Sequence, residues 1–472
     1  MIDKSEVMDF SREFGLAANV VEKDYVLGWV LGGIFNHPAI GDKWVFKGGT
    51  CLKKCYFETY RFSEDLDFTI SASYGLESEF LVACFKEISA WIYDASGIEI
   101  PQDTIRFDVY ENQRGGLSAQ GRIGYSGPLQ KRGDLPRIKL DLTTDEVLVL
   151  DPVVRDVHHP YSDRPEQGIQ INSYCFEEVF AEKIRALAER QRPRDLYDVV
   201  HLYRHDDLNP DQSLILSTLD KKCRFKNMAL PTMSTFLNRP ERDELESEWK
   251  NMLAHQLPAL PAFEQFWQVL PEVMAWLYNS ETKIVKPSIP LGRQIVDETW
   301  RPPVMAQAWH AAVPLERIRF AAANRLCVNL RYQNTTRLIE PYSLQRTQEG
   351  NILLYAIKHQ TGDIRAYRLD RIQGAEISDT SFVPSHSIEL TPSGQVSAPH
   401  LTGRSTGFSS YAPVTRRSFS NKQHFGPTYV IECSYCGKRF NRKKSSSRLN
   451  PHKDKNGYPC SGRSGYLVDT KY

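Results

Sequence analysis

The stretch KGGTCLKKCYFETYRFSEDLDF, Lys47 to Phe68, sets a glycine pair ahead of a helix-like segment and ends on two aspartates one residue apart. Leu66 to Ile70 reads as a strand, and side chains alternate faces along a strand. Asp65 and Asp67 therefore project together, about 6–7 Å apart. Two carboxylates so placed repel each other unless a cation lies between them. Hard divalent ions such as Mg²⁺ are commonly held by one or two carboxylates plus substrate phosphates. Gly48 and Gly49, without Cβ atoms, allow a phosphate close to the backbone, and a following helix would offer free N–H groups. The pairing points to a metal and a nucleoside triphosphate (NTP). A site with two ions needs a further carboxylate. Ile138-Lys139-Leu140-Asp141-Leu142-Thr143 alternates apolar and polar residues and supplies Asp141 on the polar face.

Around this stretch, residues 1–36 carry helical spacing, Trp44 to Phe46 reads as a short strand and Thr50 to Tyr60 as a helix. Residues 176–204 form two helical segments that meet at Pro193, a residue tolerated in a first turn. On the first of them Phe176, Phe180, Lys183, Leu187 and Arg190 share one stripe. Two cations on an apolar face are costly unless they meet anions. Either a triphosphate or metal-site carboxylates meet them, or they pair with Asp195 or Asp198 or snorkel to the surface. Residues 205–280 continue as amphipathic helix, with Trp249, Leu253, Phe263, Phe266, Trp267 and Leu270 as expected core.

Lys47 to Leu52, Arg61 to Asp67 and Lys139 to Thr143 resemble the nucleotidyltransferase toxins of the AbiEii/AbiGii type. So do Glu22-Lys23-Asp24-Tyr25, Ala181 to Leu187 and Arg194-Asp195-Leu196-Tyr197-Asp198. Cys51 departs from the small hydroxyl residue usual there. The resemblance covers about residues 1–280. It implies an α+β chain with a DNA polymerase-β-like nucleotidyltransferase fold, acting in a toxin–antitoxin or phage-defence system with a cognate antitoxin. The catalytic set it implies is Asp65, Asp67, Asp141 and Lys183, with two Mg²⁺ ions on the aspartates. Lys47, Gly48, Gly49, Thr50, Ser63, Arg190 and Arg194 are then expected around the nucleotide. The reaction would carry a nucleoside monophosphate from an NTP to RNA (a tRNA end among the options) or to protein. The alternative is a nucleic-acid-binding regulator for which NTP is only a signal.

Beyond residue 285, Leu326 to Tyr332 and part of Ile352 to Leu369 alternate like short strands, with turns at Gln348–Asn351 and Gln360–Asp363. Residues 317–384 resemble a WYL domain, carried by Val328 to Tyr332, Arg337 to Pro341, Leu353-Leu354-Tyr355 and Arg365 to Ile372. The resemblance implies a nucleic-acid or nucleotide-ligand groove lined by Arg337, Arg368 and Arg371. Cys433-x2-Cys436, His452 and Cys460 offer four ligands suited to tetrahedral Zn²⁺. Lys443, Lys444 and other cations surround them and suggest contact with nucleic acid. The expected division is 1–150 catalytic core, 151–285 helical part completing the site, 286–384 β-rich domain, 385–428 flexible linker and 429–472 basic zinc module.

Charge follows the same division. Residues 401–472 hold 14 Lys/Arg against 3 Asp/Glu, net +11, within a 472-residue chain of net +1. The preceding 400 residues are therefore acidic, and a basic tail on an acidic body is suited to a polyanion. The other six cysteines are scattered and expected as small buried hydrophobes. The longest apolar run, Val26 to Phe35, falls short of the ~20 residues a spanning helix needs. Met1 to Glu6 has no signal-peptide pattern. No membrane partner and a cytoplasmic location are expected.

Overall fold

The structure is a computed structural model. It describes residues 1–70, 76–112, 114–131, 133–205, 210–237, 241–279, 286–292, 296–297, 315–390, 428–442, 446–454 and 459–471. The architecture is α+β. Helices α1 (Lys4–Phe14) and α2 (Ala18–Asn36) form the first layer. They are two helices, not one, because Gly15 takes a left-handed φ of 68° and caps α1. The strands β1 (Trp44–Lys47), β2 (Asp65–Ile70), β3 (Arg106–Glu111), β4 (Leu117–Gly124), β5 (Arg137–Thr143), β6 (Val153–Asp156) and β7 (Gln170–Ser173) follow. They make one sheet in the order β3-β4-β5-β2-β1-β7-β6. Within it β2–β5 and β1–β7 run parallel and the other pairs antiparallel.

The central strand β2 buries Leu66, Phe68 and Ile70 on one face, while Asp65 and Asp67 stay partly accessible on the other. Its register sets Asp67 beside Asp141 on β5 and Lys47 on β1. Between β1 and β2 the chain makes α3 (Gly48–Cys51) and a π turn, Leu52–Tyr56, then leaves the helix at Phe57 and bends through Glu58 to Tyr60. The helix expected to Tyr60 thus stops four residues early. Stopping there lets Phe57 stack on His205 at 4.3 Å between ring centroids and Tyr60 meet His201 edge-on at 4.7 Å.

Helix α4 (Ser78–Ser96) lies between β2 and β3; past β7 the helical part comprises α5 (Phe176–Arg190), α6 (Pro193–Arg204) and α7 (Gln212–Phe225), then further helical pieces up to Asn279. The single amphipathic run expected over 205–280 is therefore broken, although its core residues Trp249, Leu253, Phe263, Phe266 and Leu270 are buried. Trp267 is only partly so. The second sheet has the strands β8 (Leu326–Tyr332), β9 (Thr335–Arg346), β10 (Ile352–Lys358), β11 (Ile364–Arg368) and β12 (Ile372–Ser381), ordered β11-β10-β9-β8-β12. Alternation exposed β8, β10 and β11 in the sequence but not the long β9 or β12. The linker expected over 385–428 lies outside the described residues from 391 to 427. A small three-stranded sheet, Thr428–Cys433, Arg439–Arg442 and Gly465–Lys471, ends one strand on Cys433 and turns at Cys436, while a separate two-stranded ladder pairs His452 with Cys460. Among the described residues, no helix is long and apolar enough to cross a membrane.

Two buried charge clusters tie these layers together. Lys54, fully buried in the π turn, donates to the Asp24 carboxylate at 2.7 Å and to its carbonyl at 2.9 Å. Tyr161 donates to the same carboxylate at 2.9 Å. This accounts for the Glu22-Lys23-Asp24-Tyr25 motif: Asp24 bolts α2 to the turn behind the glycines. Arg319, on the helix Leu315–Ala323, pairs with Glu316 at 2.7 Å and reaches Glu58 at 3.0 Å. Thr59 donates to Glu316 at 3.1 Å, so the segment after the π turn is clamped to the start of the second domain. Breaking a buried pair strands a charge, at a cost of about 3–5 kcal/mol. Lys54→Met should lower the urea-unfolding free energy by about that amount. An unchanged midpoint and slope would show that Asp24 does not depend on Lys54.

Candidate active site

Strands β2 and β5 and the N-terminus of α6 enclose a cleft of about 280 Å³. Asp65, Asp67 and Asp141 form one wall, with Gly49, Arg61, Ser63, Lys183, Arg190, Arg192, Arg194, Asp195 and Met252 around it. Neighbouring strands lie about 4.8 Å apart. The parallel register of Asp67 with Asp141 and the two-residue step to Asp65 therefore bring three carboxylates together. Among the described residues, no Lys or Arg lies within 4 Å of any of the three. Burial pushes the Asp67 carboxyl up to about 6; Asp141 and Asp65 push the same way, while Lys47 and Lys183 oppose them. Such a cluster fits a divalent cation.

The cations of the cleft fall into two groups. Arg61 grips Asp198 with two bonds of 2.7 and 2.8 Å, and Lys183 donates to the same carboxylate at 2.7 Å. The Tyr60 hydroxyl donates to it as well. Arg190 forks onto Asp195 with bonds of 2.8 and 2.9 Å, and Lys183 lies 3.7 Å from that carboxylate. Lys183 and Arg190 therefore take the pairing with Asp195 and Asp198 while still lining the cleft. Arg192 and Arg194, by contrast, meet no carboxylate within 4 Å among the described residues. Burial, and then the neighbouring Arg61, hold the Arg194 guanidinium below its usual range, as befits a cation short of an anion.

Three expected nucleotide contacts face elsewhere. Lys47 is buried and bonds Glu182 at 3.3 Å. Burial works against its ammonium, but Glu182, Glu146 and Asp67 raise its pKa above normal. Thr50 is fully buried and donates to the Asp65 carbonyl at 2.5 Å, which positions β2. Gly48 has φ 83°, and a Cβ there would come within 2.2 Å of the Asp67 carboxylate. Gly49 lines the cleft, and a Cβ on it would meet Arg61 at 2.3 Å. The glycines thus make room for Asp67 and Arg61. Sequence reasoning gave no role to Arg61, Arg192, Met252 or Glu182. The signal for Arg192 was its place just before Pro193, where a helix N-terminus begins.

Three ligating atoms converge on a fourth at the C-terminal end. Those of Cys433, Cys436, His452 and Cys460 all lie within 4.8 Å of one another, a group that could hold a metal ion. His452 donates from Nδ1 to the Asn450 carbonyl at 2.9 Å, which leaves Nε2 facing the Cys436 sulfur at 3.3 Å. Ligating histidines are commonly oriented in this way. Burial opposes ionisation of Cys433, but the N–H groups of Cys436 and Tyr435 bring its thiol down to about 6. The three arginines expected to line a groove are engaged locally or exposed. Arg337 bonds the Tyr332 carbonyl at 2.9 Å, Arg368 pairs with Asp370 at 2.8 Å, and Arg371 is exposed. Lys443 and Lys444 lie outside the described residues.

A family model described as "Nucleotidyl transferase AbiEii toxin, Type IV TA system" matches residues 29–270, just over half of the chain. The chain belongs to this AbiEii family. It is a nucleotidyltransferase, and membership implies an NTP substrate and a cognate antitoxin. A WYL domain model matches residues 314–377. No curated protein matches. Two solved structures show likenesses too weak to carry an argument. MenT4, a nucleotidyltransferase toxin from Mycobacterium tuberculosis H37Rv, is 17% identical with a TM-score of 0.41, over 59% of this chain and 90% of that one. Proteasome accessory factor B/C of Arthrobacter aurescens is 13% identical with a TM-score of 0.15, over 78% and 73%.

Asp198 gives this AbiEii-family cleft a distinct acid response. Burial opposes its charge, but Arg61 and Lys183 hold its carboxyl well below the usual range. A depressed folded value means that its contribution is fully present above the unfolded pKa of about 4 and is lost as pH falls through the folded value. Asp198→Asn should therefore unfold more easily than wild type at pH 7, by about 3–5 kcal/mol. That gap should narrow on acidification below about pH 4. A gap independent of pH would show that the Asp198 charge is not what Arg61 and Lys183 require.

Proposed function

We propose that the cleft moves a nucleoside monophosphate from a Mg²⁺-bound NTP to an RNA acceptor, in the service of a toxin or phage-defence system. The single observation that carries this reading is the separation of charge within one cleft. Asp65, Asp67 and Asp141 have no cation within 4 Å, and Arg192 and Arg194 have no carboxylate, among the described residues. A triphosphate with its divalent metal would satisfy both. The helical part, residues 151–285, supplies the cationic side, so both parts of the core are needed for one site.

In this reading Asp65, Asp67 and Asp141 hold the metal ions. Bound Mg²⁺ supplies Lewis-acid stabilisation of the charge that develops on the phosphoryl oxygens. Arg192, Arg194 and Lys183 orient the triphosphate. The acceptor hydroxyl forms a bond to the α-phosphorus while the bond from that phosphorus to the β-bridging oxygen breaks. The hydroxyl proton passes to a carboxylate of the cleft, and pyrophosphate leaves with the electron pair of the broken bond. Lys47 and Thr50 act behind the wall, the first on Glu182 and the second on β2.

The C-terminal module is the proposed handle for RNA. Cys433, Cys436, His452 and Cys460 fit Zn²⁺ by number, type and the orientation of His452. The tail around them is the basic part of an otherwise acidic chain. A cytoplasmic location suits both the substrate and the reduced thiols.

Each labelled NTP incubated with total RNA and protein tests this reading. Asp65→Ala or Asp67→Ala should abolish transfer with the fold retained. Lys183→Ala should weaken NTP binding by about 1.5–3 kcal/mol, through loss of a charge-assisted bond. RNA affinity of the full chain should fall steeply with salt, and deleting residues 425–472 should lower RNA labelling, most at low salt, and spare NTP binding. Label on protein alone would exclude RNA, and wild-type transfer by either aspartate variant would exclude the site.

A further inference from the structure

The second sheet brings together three metal-ligating side chains of different kinds. Its ladder pairs Val328 with Ile339, so Cys327 stands one step further along, beside Glu340. Glu340 pairs in turn with Ile357 on β10. Side chains two residues apart on a strand share a face, which puts His359 on the same side as Ile357. The His359 backbone N–H still reaches the Leu338 carbonyl at 3.0 Å, so the residue is fixed to β9 just past the end of β10. The result is a thiol, an imidazole and a carboxylate whose ligating atoms lie within 4.8 Å of one another.

One atom is the focus of the group. His359 Nδ1 lies 2.8 Å from Glu340 Oε1 and 3.6 Å from the Cys327 sulfur. A neutral imidazole nitrogen either donates or accepts. As a donor to Glu340 it cannot accept from the thiol, and as an acceptor from the thiol it cannot donate to Glu340. Hydrogen bonding therefore satisfies one neighbour at a time, whereas a shared cation serves all three. The distances suit such an ion. Zn–S of about 2.3 Å and Zn–N of about 2.05 Å at a tetrahedral angle place sulfur and nitrogen about 3.6 Å apart. That is the separation observed. The corresponding nitrogen–oxygen edge is about 3.4 Å, so the Glu340 oxygen must withdraw by about half an ångström.

The surroundings support the same role. The Tyr342 hydroxyl donates to the other Glu340 oxygen at 3.1 Å and accepts from the Ser385 N–H at 3.1 Å. Such an outer partner fixes a ligating carboxylate. Cys327 is fully buried, while the His359 side chain is 33% exposed, which gives an ion a way in from solvent. We propose that Cys327, Glu340 and His359 form a second metal site, for Zn²⁺ or an ion of its borderline-soft divalent class, cross-linking β8, β9 and the turn after β10. Three protein ligands leave a fourth position for water or a small anionic ligand. The site is separate from the catalytic cleft and from the C-terminal cysteines, and it does not depend on the proposed reaction.

Zinc analysis of the purified full-length chain tests this, with Zn²⁺ alone as the probe. Wild type should carry about two thiolate-bound zinc ions per chain, and both Cys433→Ser/Cys436→Ser and His359→Ala about one. Cys327→Ala risks the core, so the partly exposed His359 is the residue to change, with circular dichroism to confirm the fold. Co²⁺ added to the Cys433→Ser/Cys436→Ser chain should give a thiolate-to-cobalt absorption band that His359→Ala or Glu340→Gln abolishes. A His359→Ala chain with wild-type zinc would overturn the proposal, as would a Cys433→Ser/Cys436→Ser chain that takes up neither metal.

Discussion

The buried Asp198 carboxylate is the constraint on which the cleft depends. It receives Arg61 from the segment after the π turn, Lys183 from α5 and Tyr60, while standing on α6 itself. Two successive helices and a segment more than a hundred residues earlier are thereby fixed at one buried point. The effect on the cleft is as important as the effect on stability. Arg61 and Lys183, tied to Asp198, stay off Asp65, Asp67 and Asp141. Arg190 is kept from them likewise by Asp195. In the proposed reading the three carboxylates are thus left for a metal, and Arg192 and Arg194 for an anion.

The segment that carries Arg61 and Ser63 is held from both sides. On one side Arg61 meets Asp198, and on the other Glu58 and Thr59 meet Arg319 and Glu316 of the helix leading into the second sheet. The first domain's cleft and the second domain are therefore in mechanical contact through the short irregular segment from Glu58 to Ser63. Gly48 and Gly49 belong to the same arrangement. Their missing side chains admit the Asp67 carboxylate and the Arg61 guanidinium.

What the sequence revealed was whatever depends on local period. The alternation around Asp65, Asp67 and Asp141 placed the carboxylates on polar strand faces, and the stripe through Lys183 and Arg190 placed both cations inward. Pro193 marked the start of α6, and the C-terminal cysteines and His452 announced a ligand set. Partner choice was not legible. Nothing local reveals that Lys183, while lining the cleft, is also held by Asp198, or that Lys47 turns to Glu182. Those outcomes depend on which strands become neighbours, and β1 lies between β2 and a strand more than a hundred residues away. The thiol of Cys327 illustrates the same limit. Composition marks it as a buried hydrophobe, and only the register of β8, β9 and β10 sets it beside Glu340 and His359.

The most direct test of the account is to locate metal and nucleotide together. Crystals of the full chain soaked with Mn²⁺ and a non-hydrolysable NTP should show anomalous density between Asp65, Asp67 and Asp141. The triphosphate should lie against Arg192 and Arg194, with Lys183 still close to Asp198. Manganese bound away from the three aspartates, or a triphosphate held outside the cleft, would contradict the charge separation on which the proposed function rests.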